Sequence, residues 1–274
     1  MMKAAAFLPV LGALALTACQ TSPHPPTGYL ASYDGIAPPG RSLRAAVNQR
    51  RDEAAALEVQ RVYIAPAVLT DPDDDRLSER DRAIVLREVD RRLCFAVSRW
   101  FTVIAAPEPE ASMVRTAVVD IRPTGRLGSA ASAALGFVNP IPLTEIRVPF
   151  TTGGLAVESE LIGPDGQQLA AVTWARNANV VGRDDPSLSR VGDALQMTEP
   201  MGKAVGRAFA GAREAQTIAE PDPCSGFGPR RNATRWVAAQ ILDQASGLYV
   251  PEVSGLAAPA VEAAEDAEAS PPQG

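Results

Sequence analysis

The chain of 274 residues contains one histidine, His24, which stands in a proline-rich stretch near the amino terminus. Ser-His-Asp and Cys-His nucleophilic systems need an imidazole, and the common zinc sites usually include one. The sequence also has no G-x-S-x-G elbow, no C-x-x-C pair and no glycine-rich phosphate loop. We therefore expect a non-enzymatic protein, with no catalytic residues, no metal site and no cofactor.

Aromatic residues make up only 5% of the chain, and lysine occurs only at Lys3 and Lys203. The scarcity of aromatic side chains argues against a stacking platform for sugars or bases. The formal net charge of −6 argues against nucleic acid, which would favour a basic surface. We expect no nucleic acid among the partners.

The amino terminus has the pattern of a secretory signal, because Lys3 is followed by an uncharged apolar run that ends at Leu16. The run is too short for a transmembrane helix, which needs about 20 apolar residues. Residues 16–19 (LTAC) then resemble the lipobox of bacterial lipoproteins. The resemblance implies that residues 1–18 are a signal peptide, that the Cys19 sulfur receives a diacylglyceryl group and that the new amino terminus is acylated. An ordinary signal peptide with an incidental cysteine is the alternative.

The residue after the cysteine influences the sorting of Gram-negative lipoproteins. Gln20 is not the aspartate associated with retention in the inner membrane. The resemblance therefore implies a protein that is anchored in the outer membrane through Cys19 and faces the periplasm. Three acyl chains on one cysteine hold a protein firmly, whereas a single chain binds a bilayer only marginally.

Changes in composition divide the chain into five segments. Residues 1–18 are the signal peptide, and residues 19–57 are predicted to be a flexible tether because prolines and glycines interrupt any regular pattern. Residues 58–217 are predicted to form one domain, and residues 218–253 an extension with a short helix. Residues 254–274 are rich in Ala, Pro and Glu and are expected to be disordered. Loss of the signal peptide would leave 256 residues and, since one lysine leaves with it, a net charge of −7.

Apolar periodicity in the domain predicts the order strand, helix, four strands, helix. Ser78 is the expected amino-terminal cap of the first helix and Thr198 that of the second, with Pro200 in the first turn. The predicted strands cover residues 58–69, 101–104, 113–121, 146–161 and 168–180. This order indicates an α+β fold, with a mostly antiparallel sheet of about five strands and two helices packed on one face.

Glu158 and Glu160 are two positions apart in a predicted strand and so share one face of the sheet. Paired carboxylates can act as acid and base. Two glutamates that point outward from a solvated sheet face are far commoner, and we expect that arrangement here.

Two segments allow two interpretations each. Residues 27–34 (TGYLASYD) could dock on the domain through two tyrosines and a leucine, or belong to a loose spacer. Residues 127–143 are uncharged and consist mostly of small residues, prolines and a few larger apolar ones. They could form a flap that touches lipid or a partner, and a small-residue loop or helix packed on the sheet is the favoured interpretation.

Outside the lipobox the chain has two cysteines, Cys94 on the first predicted helix and Cys224 after the second. An even number of cysteines in a secreted protein suggests a disulfide, which would pin the carboxy-terminal segment to the first helix. The alternative is a buried thiol at Cys94 and an exposed one at Cys224.

The order of several short motifs carries a family resemblance. After the lipobox come TGYL at residues 27–30, VYIAP at 62–66, VVDIRP at 118–123, and ESEL at 158–161 before a GPDG turn. This order resembles a proteobacterial outer-membrane lipoprotein family that is catalogued only as a domain of unknown function. The resemblance covers residues 28–212 and implies an envelope location without an established activity.

We therefore expect a lipid-anchored envelope protein that acts as an interaction or structural module, with the membrane and an envelope protein as partners. The alternative is a periplasmic hydrolase or small-ligand-binding protein that uses carboxylates and arginines alone. That alternative predicts a concave pocket in which such side chains converge.

Overall fold

The structure is a computed structural model. It describes residues 21–38, 44–136, 145–147, 151–178, 181–182, 184–230, 237–238, 241, 245–246 and 248–250. Cys19, the predicted signal peptide, the predicted disordered tail and most of the predicted carboxy-terminal helix lie outside these residues.

The described residues form a seven-stranded main sheet, a two-stranded sheet, four α-helices and one 3-10 turn. The main strands are β1 (Ala46–Arg51), β2 (Arg61–Ile64), β3 (Val68–Leu69), β4 (Thr102–Ile104), β5 (Ser112–Arg122), β7 (Gly154–Ile162) and β8 (Gln168–Asn177). The small sheet pairs β6 (Glu145–Ile146) with β9 (Val181–Gly182). The helices are α1 (Glu53–Glu58), α2 (Glu79–Val97), α3 (Arg126–Gly136) and α4 (Gly192–Ala210), and the 3-10 turn is Ser225–Phe227.

The main sheet has the order β1-β8-β7-β5-β2-β4, and β3 also pairs with β5. The pairs β1–β8, β8–β7 and β7–β5 are antiparallel, whereas β5–β2, β2–β4 and β5–β3 are parallel. The predicted α+β class is confirmed, but the prediction of five mostly antiparallel strands is wrong. Helix α2 carries the chain back across the sheet between β3 and β4, and such a crossover permits parallel pairing.

The edge strand β1 and helix α1 lie in the segment that was predicted to be a flexible tether. The folded domain therefore begins before residue 58, and the predicted boundary is too late. Strand β1 reads AVNQRR and has no apolar alternation, so its place in the sheet comes from backbone pairing with β8. Helix α1 begins at the cap Asp52, whose carboxylate accepts a hydrogen bond from Ala55 N.

Helices α2 and α4 pack on one face of the main sheet and on each other. Helix α2 begins after Ser78, whose hydroxyl accepts from Asp81 N as predicted. Helix α4 begins at Gly192 rather than after Thr198, so that Pro200 lies inside the helix. The two helices approach closely at Gly202, where an added Cβ would lie 2.8 Å from the Arg92 carbonyl oxygen.

The hydrophobic core lies between these helices and the sheet. Its fully buried helical side chains include Val85, Val89, Leu93 and Val97 from α2 and Met197, Met201, Val205 and Phe209 from α4. Among the described residues, no helix has the length and apolarity needed to cross a bilayer.

Candidate functional site: two buried glutamates beneath an amino-terminal strap

Every residue of the central strand β7 is buried. Alternation places Leu155, Val157 and Leu161 in the core beneath the helices. Glu158 and Glu160 lie on the opposite face and are only 1% and 0% exposed. The prediction that these glutamates point into solvent is therefore wrong. Residues 21–38, which we name the strap, contact them from that face.

Glu158 accepts three hydrogen bonds from the strap. Thr27 donates from its backbone N to Oε1 at 3.1 Å and from its hydroxyl to Oε2 at 2.6 Å. Tyr33 Oη donates to the same Oε2 at 2.7 Å. The Tyr33 oxygen also accepts from Gly28 N at 2.9 Å, so one hydroxyl joins the carboxylate to the strap backbone. All three donors to Glu158 are neutral groups.

Glu160 interacts with one backbone amide of the strap and with two side chains of the sheet. Ala31 N donates to Oε2 at 2.9 Å, and Gln168 Nε2 donates to the same oxygen at 2.8 Å. Arg115 Nη2 lies 3.2 Å from Oε1 and forms an ion pair. The Arg115 guanidinium also stacks 5.2 Å from the centre of the Tyr29 ring and donates to the Tyr29 carbonyl at 3.3 Å. The Arg115 side chain thus contacts both Glu160 in the sheet and Tyr29 in the strap.

Each glutamate has one alanine beside it in the sheet. Ala117 and Ala171 stand beside Glu158 and Glu160 on the adjacent strands, and both are fully buried. Burial raises the pKa of Tyr29, and the nearby Arg115 opposes that change.

The strap crosses the sheet between two further attachment points. At its beginning, Thr21 Oγ1 accepts a 3.1 Å hydrogen bond from Asn177 N at the end of β8. Near its end, Ala37 exchanges two backbone hydrogen bonds with Gln49 of β1, at 3.1 and 2.8 Å. Residues 27–34 therefore dock on the domain, which decides between the two interpretations of that segment.

The hydrogen bonds from the strap to Glu158 and Glu160, which we name the clamp, hold the strap on the sheet. Buried carboxylates need hydrogen-bond partners, and here the strap supplies most of them. A substrate could reach Glu158 only if Thr27 and Tyr33 moved away. The alternation of β7 alone could not reveal this arrangement, because the strap residues that cover Glu158 and Glu160 are more than 120 positions away in the sequence.

A second buried cluster was not predicted from the sequence. Arg147 and Asp193 are fully buried and form a two-pronged ion pair, with N–O distances of 2.9 and 3.1 Å. Asp193 lies in the first turn of α4, where the helix dipole favours a carboxylate. Its Oδ2 also accepts from Gly153 N at 2.6 Å, which ties the helix to the start of β7.

A small surface pocket brings carboxylates and arginines together, as the alternative function predicts. It is lined by Asp71, Asp74, Arg76, Arg82 and Asp120, with apolar side chains between them. Arg76 Nη2 lies 2.6 Å from Asp74 and 2.8 Å from Asp120, so the charges are paired within the pocket. Hydrogen bonding from Arg76 lowers the pKa of Asp74. Among the described residues, no cluster of three or more His, Cys, Asp or Glu could hold a metal.

Cys94 and Cys224 are joined by a disulfide, with an S–S distance of 2.06 Å and a Cα–Cα distance of 5.8 Å. The bond attaches the segment after α4 to helix α2. Arg230 packs beside it, with Nη2 donating to Ser98 Oγ at 2.8 Å and the guanidinium 4.8 Å from the Phe95 ring centre. The predicted pairing is thus the one in the structure, and Cys19 lies outside the described residues.

The family comparison covers most of this architecture. The sequence model of a family described as proteins of unknown function, DUF3313, matches residues 25–205. The chain belongs to the DUF3313 family. The matched range includes Thr27, Tyr33, Glu158 and Glu160, so the hydrogen bonds between the strap and both glutamates fall within the family domain. The resemblance to a family of unknown function is confirmed.

Comparison with curated protein sequences gives no match. Among solved structures, two crystal forms of the PelC dodecamer from Paraburkholderia phytofirmans are similar to the chain, one of them a point variant. The sequence identities are 11% and 14%, and the TM-scores are 0.33 and 0.34. Each comparison covers 59% of this chain and 97% of the PelC chain. A likeness at this level carries no conclusion about function.

Proposed function

We propose that this protein is a cell-envelope lipoprotein, anchored through Cys19 in the outer membrane and facing the periplasm. Its domain serves as a non-enzymatic interaction or structural module with an envelope protein as partner. The observation that carries the proposal is the docked strap, which begins two residues after Cys19. Two residues span at most about 7 Å, so lipid on Cys19 would hold the domain directly at the membrane.

Two further features support the proposal. The lipobox-like residues 16–19 follow an apolar run of signal-peptide length. The disulfide between Cys94 and Cys224 suits an oxidising compartment such as the periplasm. A non-catalytic role for Glu158 and Glu160 is supported by their hydrogen bonds, since the strap occupies both carboxylates.

The test is metabolic labelling of the full chain in a Gram-negative host with an alkyne-bearing fatty acid. We expect label on the wild type, none on Cys19→Ser, and recovery of the labelled protein with the outer membrane in a density gradient. A Cys94→Ser, Cys224→Ser double variant is the matched control, and it should keep the label. An unlabelled wild type that is released with the periplasmic contents would refute the anchor.

The partner is sought by crosslinking intact envelopes, with capture of the wild type compared with Cys19→Ser. We expect a defined crosslinked protein that depends on membrane attachment. Purified domain that turned over a periplasmic substrate would instead refute the non-enzymatic part of the proposal.

The alternative, a small-ligand-binding protein or hydrolase, is favoured by one observation, the pocket around Arg76. A ligand there would have to displace Asp74 or Asp120 from the guanidinium. The alternative predicts that Arg76→Ala abolishes the binding of a small anion while Arg61→Ala does not, since Arg61 forms its ion pair with Glu108 outside that pocket. Equal responses of the two variants in calorimetry would eliminate it.

A further inference from the structure

Helix α3 exposes apolar side chains and buries two serines. Leu127 is 89% exposed, and Ala130 and Ala131 are exposed on the same side. Ser129 and Ser132 are fully buried on the other side. A helix on a water-facing surface normally buries its apolar stripe and exposes its polar residues.

Both buried serines have polar neighbours. Ser132 Oγ donates to the Gly128 carbonyl at 2.6 Å, and Ser129 Oγ lies 3.5 Å from Arg147 Nη2 beside the buried ion pair. Gly128 packs against Thr151, where an added Cβ would overlap the threonine side chain. The buried side of α3 thus consists of Gly128, Ser129, Ser132 and Ala133, whereas Leu127, Ala130 and Ala131 are exposed.

Helix α3 begins at the end of the sheet where the strap begins. Gly125 N, just before α3, donates to the Thr151 carbonyl at 2.8 Å, and Thr151 lies three residues before the start of β7. The first residue of β7, Gly154, pairs with Asn177, which donates to Thr21. Cys19 precedes Thr21 by two residues in the sequence, and two residues span at most about 7 Å.

The charge of this end suits a lipid surface. Arg122, the last residue of β5, and Arg126, the first of α3, are both exposed. The first turn of α3 contains no acidic residue. At the surface of a membrane with anionic phospholipids, arginines are attracted to the headgroups and apolar side chains enter the acyl boundary.

We propose that helix α3 lies on the phospholipid surface, with Leu127, Ala130 and Ala131 against the bilayer and Arg122 and Arg126 at the headgroups. This rests on the proposed anchor at Cys19 and adds the orientation of the domain. The opposite end of the sheet, with α1, faces away from the membrane. Strand β8 has 10 residues and separates the two ends by about 30 Å.

Leu57 provides the matched control position. It is 45% exposed on α1, and α1 follows Asp52, whose backbone N donates to Leu169 at the far end of β8. An apolar side chain of the same type is therefore exposed at each end of the sheet. Only the one on α3 is placed near the anchor.

The experiment uses the mature lipoprotein with Leu127→Cys or Leu57→Cys, each labelled with a nitroxide. The proteins are reconstituted into vesicles of phosphatidylethanolamine and phosphatidylglycerol, and mass spectrometry establishes the lipid on Cys19. We expect the label at position 127 to lose most of its collisions with an aqueous nickel chelate and to gain collisions with lipid-dissolved oxygen. The label at position 57 should remain aqueous.

The outcomes separate this inference from the proposed function. Absence of lipid on Cys19 overturns both. Lipid on Cys19 with equally aqueous labels at positions 127 and 57 overturns the orientation alone. A label at position 127 that is equally shielded in lipid-free Cys19→Ser protein means that a second copy of the chain covers α3, which also overturns the orientation.

Discussion

Tyr33 Oη donates a 2.7 Å hydrogen bond to Glu158 Oε2 across 125 positions of the sequence. The contact joins the strap to the central strand of the sheet and places a phenol where the strand pattern predicts solvent. Because the same oxygen accepts from Gly28 N, loss of this one atom would affect both the carboxylate and the strap backbone. The strap is thus part of the fold.

The first prediction concerns this hydroxyl. Tyr33→Phe should lower the free energy of unfolding by about 1–3 kcal/mol, since a buried carboxylate loses a donor and Gly28 N loses its acceptor. Urea denaturation measures the loss, and hydrogen exchange should show faster exchange of the Gly28 amide. Tyr63→Phe is the control, because Tyr63 lies in β2 and its hydroxyl forms no hydrogen bond with the described residues of the strap. Unchanged exchange at Gly28 would contradict the clamp.

The start of α2 and the turn between β7 and β8 are predicted correctly from the sequence, because residues next to each other in the chain determine them. The cap Ser78 begins α2 where its hydroxyl predicts, and the hairpin of β7 and β8 turns at the predicted Gly163-Pro164-Asp165-Gly166. Gly166 has φ = +82°, a conformation that glycine adopts without strain. These features are fixed within a few residues of sequence, so a single chain suffices to predict them.

The candidate site depends on residues that are far apart in the chain. For this reason the sequence did not predict the burial of Glu158 and Glu160 or the ion pair of Arg147 and Asp193. The alternation of β7 is read correctly, since Glu158 and Glu160 do share a face, but nothing local states that residues 27–33 cover that face. Strand β1 was missed because its sequence is polar and it pairs only at the edge. Arg147 and Asp193 are 46 positions apart, and each alone is typical of a surface.

The second prediction concerns the buried ion pair of Arg147 and Asp193. Asp193→Asn should lower the free energy of unfolding by about 3–5 kcal/mol, because it leaves a buried guanidinium without its carboxylate. Adding Arg147→Met should recover much of this loss, since no uncompensated charge then remains, and the asparagine can still accept from Gly153 N.

Urea denaturation of both proteins measures the difference. Glu108→Gln is the control, because Glu108 and Arg61 form a surface pair with side chains 42% and 49% exposed. Such a pair contributes about 0–1 kcal/mol. A double variant less stable than Asp193→Asn would show that the arginine stabilises the fold through contacts other than the ion pair.

The third prediction concerns Asp90 on α2. Its Oδ1 accepts from Ala67 N at 2.8 Å, and burial raises the pKa of Asp90 to about 6. A folded-state pKa above the ordinary value of 3.8 means that the folded protein binds this proton more tightly than the unfolded chain. The stability from this group is therefore fully present below about pH 4 and is lost as the pH rises through about 6.

Asp90→Asn should remove this pH dependence and keep the hydrogen bond from Ala67 N, because the amide oxygen remains an acceptor. At pH 7 we expect the variant to be more stable than the wild type, by at most about 3 kcal/mol from two pKa units. Denaturation midpoints at pH 5 and pH 7 measure the effect, with the exposed Asp73→Asn as control. A wild type that gains no stability relative to Asp90→Asn on acidification would contradict the raised pKa.

The fourth prediction concerns the disulfide between Cys94 and Cys224, which encloses 130 positions of the chain. In the chain-entropy model, closing a loop of that length stabilises by about 5 kcal/mol. Cys94→Ala with Cys224→Ala should therefore lower the free energy of unfolding by up to that amount and free residues 218–230 from α2. Proteolysis should then cut this segment in the double variant before it cuts the domain.

Adding a reductant to the wild type distinguishes the stability that comes from the disulfide bond from the stability that comes from packing of the two cysteine side chains. Wild type in reductant should unfold at the same denaturant concentration as the double variant, and the double variant should not respond to reductant. Cys19→Ser serves as the background for both measurements, since it removes the lipid and the third thiol. Equal stability of the oxidised and reduced proteins would mean that Arg230, through its contacts with Ser98 and Phe95, holds the segment on α2 without the covalent bond.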